Sequence, residues 1–254
     1  MNYLSVEDAI SASGLRLVLT ADVPGPWGEA AKSMLVHKDI TYTAVRQEGG
    51  QENSSLMEWT GQSSAPVAVL EGIPPVSHWL DLLMLTERLA PEAPLVPTDM
   101  AARTDVLGLS ALIAGVDGFG WNRRLHMLAP MLMLPEPPEM AVRLGEKFGW
   151  SDQAFANAIP RLQAISGELD RRLEQQDGLG SVYLVGDSVS AVDFYWANFA
   201  GMVKPLGAQD NPMPDYMRAT YQAKDELILS TVSPRLEAHR DMMYQRHIAL
   251  PLDY

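Results

Sequence analysis

The sequence contains no cysteine, and this absence excludes several kinds of chemistry. Without cysteine the chain forms no disulfide, supplies no thiolate to a metal and has no cysteine nucleophile of its own. Basic residues are also scarce, because 19 Lys and Arg stand against 32 Asp and Glu, for a formal net charge of −13. Phosphate backbones are bound by clusters of Lys and Arg, so this charge argues against a nucleic-acid partner.

Long apolar segments are absent as well. The nearest candidate for a membrane span, around residues 127–134, is broken by Pro130 and Pro135. The N-terminal residues carry acids and no basic segment, which is not typical of a signal peptide. The histidines form neither an HExxH nor a His-x-His pattern. We therefore expect a cytoplasmic protein with no metal site and no membrane partner.

The first part of the chain carries strand and helix signals in alternation. LRLVLT (residues 15–20) and TYTAVR (residues 41–46) predict two strands, and residues 29–38 predict a helix between them. Such a βαβ unit implies a parallel pair of strands. A third strand is expected at residues 67–70 and a helix at residues 80–89, with a turn between them after which a fourth strand could start.

Pro66 stands at the entrance of the third predicted strand. Proline has no N–H for a strand ladder, and an Xaa-Pro bond is the one peptide bond that adopts the cis form at low cost. The segment alone is compatible with an ordinary strand start and with a turn that faces a ligand.

Beyond the proline-rich residues 90–97, helical periodicity replaces the strand signals. The expected helices are 98–128 (with a break near 115–120), 136–148, 152–176, 191–203, 213–224 and 225–245, the last one kinked or split at Pro234. The sequence therefore predicts an α/β domain at residues 1–90 and an all-helical domain at residues 98–254.

The clearest helix start lies at residues 189–194. Ser190 is the expected N-cap, and Asp193 stands at the third helical position, where its carboxylate can accept from the Ser190 N–H. Val189 and Phe194 occupy the positions of a hydrophobic staple. Taken alone, this pattern is structural.

Three segments resemble parts of glutathione S-transferases. YLVGDSVSAVDFYWANF (residues 183–199) resembles the buried capping box of that family, which follows a Gly-Asp turn. APVAVLEGIPPVSHWLDLLMLTERLAP (residues 65–91) resembles its glutathione-binding half, and KSMLVHKDITYTAV (residues 32–45) resembles the end of its first helix and its second strand. The order and spacing of these segments carry the resemblance across residues 15–205.

The resemblance implies a thioredoxin-like α/β domain followed by an all-α helical-bundle domain, with glutathione as co-substrate. Glutathione would pair with the backbone of Ala65, before a cis bond to Pro66. Ser77 and the helix after it would hold the γ-glutamyl carboxylate, since free amides and the helix dipole favour an anion there. The alternative for Ser77 is an ordinary N-cap. The resemblance also places Val76 among the glutathione-binding residues, at a position where the family commonly has an acidic residue.

The expected activator of the glutathione thiol departs from the family pattern. Family members use a Tyr near the end of the first strand, or a Ser or Cys before a proline in the next loop. Here the strand ends with Thr20, and the loop reads PGPW (residues 24–27). The catalytic candidates are the hydroxyl of Thr20 and the N–H groups of Gly25 and Trp27, which could stabilise a thiolate. The alternatives are a packed strand residue for Thr20 and a roof over the cleft for Trp27.

The second substrate would bind near GFGWNRRLHM (residues 118–127), with Trp121 and Arg124 as substrate-binding residues. An Arg there could hold a carboxylate of the substrate or of the glycine of glutathione; the alternative is a solvated helix face. We expect a small hydrophobic electrophile and, from the resemblance, a homodimer. Two functions stay open: a glutathione transferase with a non-standard thiol activator, and a transferase-fold binding or regulatory protein without turnover.

Overall fold

A three-stranded sheet forms the first part of the protein, which a computed structural model describes over residues 1–254. The strands are β1 (Arg16–Thr20), β2 (Thr43–Gln47) and β3 (Val67–Val69). Strand β1 is central; it pairs in parallel with β2 and antiparallel with β3. The parallel pair confirms the predicted βαβ unit.

The expected fourth strand does not form as a ladder. After β3 the chain makes a single antiparallel bridge, between Ala68 and Val76. Pro74 and Pro75 precede that bridge, and proline supplies no N–H to extend it.

Four helices accompany the sheet: α1 (Val6–Ser11), α2 (Pro26–His37), α3 (Ser54–Thr60) and α4 (Trp79–Leu89). Helix α1 was not predicted from the sequence. Helix α2 begins at Pro26 and not at residue 29, because proline is tolerated in the first helical turn, where an N–H has no partner inside the helix.

Only helices follow: α5 (Met100–Ala114), α6 (Phe119–Leu132), α7 (Glu139–Lys147), α8 (Asp152–Gly178), α9 (Ala191–Ala200), α10 (Asp215–Tyr221), α11 (Glu226–Leu229) and α12 (Pro234–Arg246). The breaks expected near residues 115–120 and at Pro234 are both present. The fold class is therefore confirmed as a thioredoxin-like α/β part followed by an all-helical part. The domain limits at residues 90 and 98 stay a prediction.

Helix α9 forms the centre of the helical part, where all its residues are buried and it packs against α2, α5 and α12. The predicted capping box is present at its start. The Asp193 carboxylate accepts from the Ser190 N–H at 2.8 Å, from the Ser190 hydroxyl at 2.9 Å and from the Leu184 N–H at 2.8 Å. It also lies 2.9 Å from Nε2 of His239. Because α9 contacts α2, this fixed helix joins the helical part to the sheet.

The residues after α12 return to α2. Lys32 donates to the Asp253 carbonyl at 2.6 Å, and the Leu252 N–H donates to the Asp210 carbonyl at 2.8 Å. The rings of His37 and His247 pack edge to face with centroids 5.5 Å apart. No helix of the protein has the length and apolar character needed to cross a membrane.

Candidate functional site

A cleft separates the edge of the sheet from helices α6 and α7. It consists of two adjoining cavities, a first of about 310 Å³ and a second of about 250 Å³. Both cavities are lined by Trp27, Ser64, Ala65, Pro66, Lys147 and Phe148. Thr20, Gly25 and Arg124 also line the first cavity, and Ser77 and Trp121 line the second. Of the predicted site residues, only Val76 lies outside the cleft.

Ala65 presents an unpaired peptide edge to both cavities. The bond from Ala65 to Pro66 is cis, as predicted. The N–H and C=O of Ala65 have no hydrogen-bond partner within the protein, although the residue is half-buried. Backbone polar groups at such a position normally find a partner in protein, water or ligand. The arrangement suits an extended peptide that pairs with both groups.

The amino end of α2 faces the first cavity. Pro26 has no N–H, and the N–H groups of Trp27 and Gly28 have no partner within the protein. Free amides at a helix start create positive potential for an anion. The Gly25 N–H, by contrast, donates to the Val23 carbonyl at 2.8 Å. This bond corrects the predicted donor role of Gly25 and leaves that of the Trp27 N–H in place.

The hydroxyl of Thr20 is also engaged. It donates to Oε1 of Gln47 at 2.7 Å, and the Gln47 amide is held in turn because its Nε2 donates to the Glu48 carbonyl at 2.8 Å. Since a hydroxyl has a single proton, Thr20 does not offer it to a ligand in this arrangement. This bond argues against the predicted donor role of Thr20 and fits the packed-strand alternative.

The indole of Trp27 is fixed between the two cavities. Its Nε1 donates to the Ala114 carbonyl at 2.8 Å, and its ring packs edge-on against Phe199 with centroids 4.9 Å apart. Gly120 permits this packing, because a Cβ there would lie 2.3 Å from Phe199 and 2.9 Å from Trp27. The Trp27 side chain therefore serves as a rigid roof, and only its backbone N–H is free.

Ser77 lies before α4 without capping it. The helix starts at Trp79 and its N-cap is His78, which makes no side-chain cap bond. The Ser77 hydroxyl has no hydrogen-bond partner, and the N–H groups of Trp79 and Leu80 in the first helical turn are also free. The capping alternative for Ser77 is therefore wrong, and its hydroxyl is available at the second cavity.

Val76 offers nothing polar to a ligand. Its N–H donates to the Ala68 carbonyl at 3.0 Å, and its carbonyl accepts from the Ala68 N–H at 2.8 Å. Its side chain packs against the apolar cluster beside the sheet. The structure corrects the prediction that Val76 takes part in binding, because both of its backbone groups complete the bridge to β3.

The opposite wall of the cleft carries two cations, Arg124 on α6 and Lys147 at the end of α7. Arg124 donates to the Tyr221 hydroxyl at 3.1 Å, and its guanidinium lies 5.5 Å from the centre of the Tyr221 ring. Nζ of Lys147 lies 5.7 Å from the centre of the Phe148 ring. Neither cation forms an ion pair with a carboxylate. Partial desolvation at the cavity wall lowers the pKa of Lys147, although the residue keeps an exposed surface, and repulsion from Arg124 adds to the effect.

Of the other residues on α6, Trp121 lies at the cleft and Arg123 lies in the core. Trp121 lines the second cavity and packs edge-on against Phe148 with ring centroids 4.9 Å apart. Arg123 is buried; it donates to the carbonyls of Met202 at 2.8 Å and Tyr221 at 3.1 Å. The prediction of a solvated helix face therefore fails at Arg123, whose bonds hold the helices together. The described residues contain no cluster of His, Asp or Glu with metal-ligand spacing.

Solved structures resemble the chain over nearly its whole length. A glutathione S-transferase from Methylobacterium radiotolerans, in complex with glutathione sulfonate, superposes with a TM-score of 0.59 at 18% identity, over 91% of each chain. One from Xanthobacter autotrophicus gives a TM-score of 0.59 at 14% identity, over 93% of this chain and 96% of that one. The chain has the glutathione S-transferase fold. A further transferase of this fold, from Methylobacillus flagellatus with glutathione bound, gives 0.57 at 15% identity, over 86% and 98%. No protein-family model and no curated protein matches the sequence.

Two groups of this cleft, the Gly28 N–H and the Lys147 ammonium group, were not predicted from the sequence. Helix α2 was predicted to start at residue 29, so Gly28 was not expected to offer a free N–H in its first turn. Lys147 lies in GEKFGW (residues 145–150), where nothing local distinguishes it from a solvated lysine near a helix end. Only the packing of α7 across the cleft brings its ammonium group to the cavity.

Proposed function

We propose that this protein binds glutathione in the cleft and transfers it to a small apolar electrophile. The observation that carries the proposal is the unpaired N–H and C=O of Ala65 beside the free N–H groups of Trp27 and Gly28. Glutathione has both features that such a site needs, an extended peptide and a thiol. Its cysteinyl N–H and C=O would pair with Ala65, and its sulfur would lie towards the start of α2.

The amides of α2 would supply the thiol activation. A free thiol has a pKa of about 8.5, and a helix amino terminus lowers that pKa because it stabilises the thiolate. Thr20 and Gly25 use their protons inside the protein, whereas the N–H groups of Trp27 and Gly28 are free at the first cavity. The thiolate sulfur would then form a bond to an electrophilic carbon while the leaving group departs with its electron pair.

The γ-glutamyl end would bind at the second cavity. The free Ser77 hydroxyl and the free N–H groups at the start of α4 suit its carboxylate. Its ammonium group has no carboxylate partner at Val76, so we expect weaker glutathione binding than an acidic residue at that position would give.

A second candidate function is glutathione binding without turnover. The observation that favours it is that the Thr20 hydroxyl, at the end of the first strand, donates its proton to Gln47 and does not offer it to a thiol. In that case the protein would act as a transferase-fold binding or regulatory protein.

A binding and turnover experiment tests both functions. Calorimetry would compare glutathione with γ-glutamyl-alanyl-glycine, which lacks the sulfur, and ultraviolet absorbance would report thiolate in the bound glutathione. Conjugation to chlorodinitrobenzene would report turnover. We expect both peptides to bind, with thiolate and turnover for glutathione alone. Binding without turnover would support the second function, and binding of neither peptide would contradict both.

We also propose that the protein is a homodimer in the cytoplasm, as the resemblance implies. Light scattering should then give a mass of about twice the 27.9 kDa of one chain. A mass near that of one chain at micromolar concentration would contradict the dimer and leave the glutathione proposal standing.

A further inference from the structure

The wall of the cleft formed by α6 and α7 carries two cations, and glutathione binding at Ala65 and Ser77 would leave both of them without a role. Arg124 and Lys147 are the basic residues that line the first cavity, and neither has a carboxylate partner. The acidic residue at the same cavity, Glu29, is buried and paired with Lys32, whose Nζ lies 2.7 Å from its carboxylate. The residues of α6 and α7 that line this cavity therefore include two cations and no acid.

We propose that Arg124 and Lys147 form an anion site, and that the electrophile accepted in this cleft is an apolar molecule that carries a carboxylate or sulfonate. The identity of that molecule as an electrophile depends on the proposed function, whereas the anion site itself does not. An anion placed between the two side chains would receive charge-assisted hydrogen bonds from both.

The surroundings of the two cations indicate the apolar part of the molecule. Leu128 on α6, Met140 and Leu144 on α7, and Phe148 after α7 line the same cavity. An apolar body would remove these side chains from water, and its acidic group would pair with the ammonium group of Lys147 and the guanidinium of Arg124. A fully apolar ligand would bury both cations without an anionic partner, which is unfavourable.

Two simpler explanations account for only part of the arrangement. A lysine in the last turn of a helix interacts favourably with the helix dipole, and Lys147 occupies that place in α7. This does not explain why a second cation, Arg124, lines the same cavity and also has no carboxylate partner. The glycine carboxylate of glutathione is the other anion that could bind there, but it would bring no apolar body to Leu128 and Met140.

A matched pair of fluorescent probes tests the anion site without glutathione. Anilinonaphthalene sulfonate and phenylnaphthylamine share an apolar body, and only the first carries a negative charge. We expect the protein to bind the sulfonate more tightly than the neutral probe. Lys147→Met should lower the ratio of the two affinities about tenfold, without weakening the binding of the neutral probe. Arg171→Met, which removes a surface charge paired with Glu168, is the control and should leave the preference unchanged.

A second arm separates the two sources of the anion. Calorimetry would measure S-benzylglutathione, S-carboxybenzylglutathione and free glutathione on the wild-type protein, Lys147→Met and Arg124→Met. If the electrophile carries the anion, the substitutions weaken the carboxybenzyl conjugate about ten- to a hundredfold and leave the other two nearly unchanged. Equal weakening of all three would assign the site to the glycine carboxylate and overturn the proposal.

The remaining outcomes also decide the matter. Tighter binding of the neutral probe by the wild-type protein, or an unchanged preference in Lys147→Met, would overturn the anion site. The Lys147 side chain makes no hydrogen bond, so the Lys147→Met variant should fold even if loss of the Arg124 bond to Tyr221 destabilises the Arg124→Met variant. Absence of glutathione binding with the probe preference intact would contradict the proposed function alone.

Discussion

Helices α9 and α4 are both preceded by a serine, and the two serines are used in opposite ways. Ser190 caps α9, and its N–H and hydroxyl both donate to the buried Asp193 carboxylate. Ser77 precedes α4 by two residues, its hydroxyl has no partner, and it lies at a cavity. The difference teaches that a polar group bonded inside the protein supports the fold, whereas an equal group left free at a cavity is available to a ligand.

The same contrast extends to the neighbouring groups. At α9, the Asp193 carboxylate is completely buried and has partners from Ser190, Leu184 and His239. At α2 and α4, the first-turn N–H groups face the cleft without partners. Substitutions at the start of α9 should therefore change stability, and substitutions at the cleft should change affinity.

The largest effect is expected for Asp193→Ala. Removal of this carboxylate leaves the Ser190 and Leu184 N–H groups and the His239 ring without their partner in a buried position. We expect the free energy of unfolding to fall by about 3–5 kcal/mol. Urea unfolding measures it, with Asp187→Ala in the exposed turn before the helix as control. A loss below about 1 kcal/mol would contradict the structural role.

The next effect is expected for Ser77→Ala, in affinity and not in stability. The hydroxyl makes no hydrogen bond within the protein, so unfolding should change by no more than about 0.5 kcal/mol. Loss of a bond to a carboxylate should weaken glutathione binding by about 1.5–3 kcal/mol, or roughly ten- to a hundredfold. Calorimetry decides the matter, and unchanged affinity would remove Ser77 from the site.

Ser190→Ala is the matched substitution at the other helix and should show the reverse result. It removes the hydroxyl bond to Asp193 and retains the backbone bond, so stability should fall by about 1 kcal/mol. Glutathione affinity should stay as in the wild-type protein, since Ser190 is buried away from the cleft. A weakened affinity in the folded variant would show that the two helix starts are not independent.

The smallest effect concerns pH and the histidine pair at the far end of α2. Burial lowers the pKa of His37 and of His247; repulsion from His247 adds to the shift of His37, and the Asp193 carboxylate opposes the shift of His247. The unfolded chain, with a histidine pKa of about 6.5, therefore binds more protons below that pH than the folded chain does. Their contribution to stability is present above about pH 6.5 and is lost as the pH falls towards the lowered pKa values.

The measurement compares urea unfolding at about pH 7 and about pH 5 for the wild-type protein and His37→Gln. We expect a smaller loss of stability on acidification in the variant. The comparison is needed because burial raises the pKa of Glu29, which acts in the opposite direction: it contributes stability at low pH that is lost as the pH rises. An equal loss in both proteins would exclude His37 as a source of the pH dependence.

The sequence by itself determined the elements whose signals are local. The periodicity of β1 and β2, the capping box at Ser190 and the break at Pro234 depend on residues within a few positions, and the structure shows all of them. The order of these elements along the chain was sufficient to predict an α/β part followed by an all-helical part. The cis bond before Pro66 was implied by the family resemblance and not by the local sequence, and the structure confirms it.

Only the tertiary structure decided which polar groups stay free. The Thr20 hydroxyl donates to Gln47 on the neighbouring strand, and Lys147 lines the cleft because α7 packs across it. Both results depend on contacts between residues that are distant in sequence. A pattern of residues shows which groups can donate or accept, but the free groups that make a site are those that folding has left without a partner.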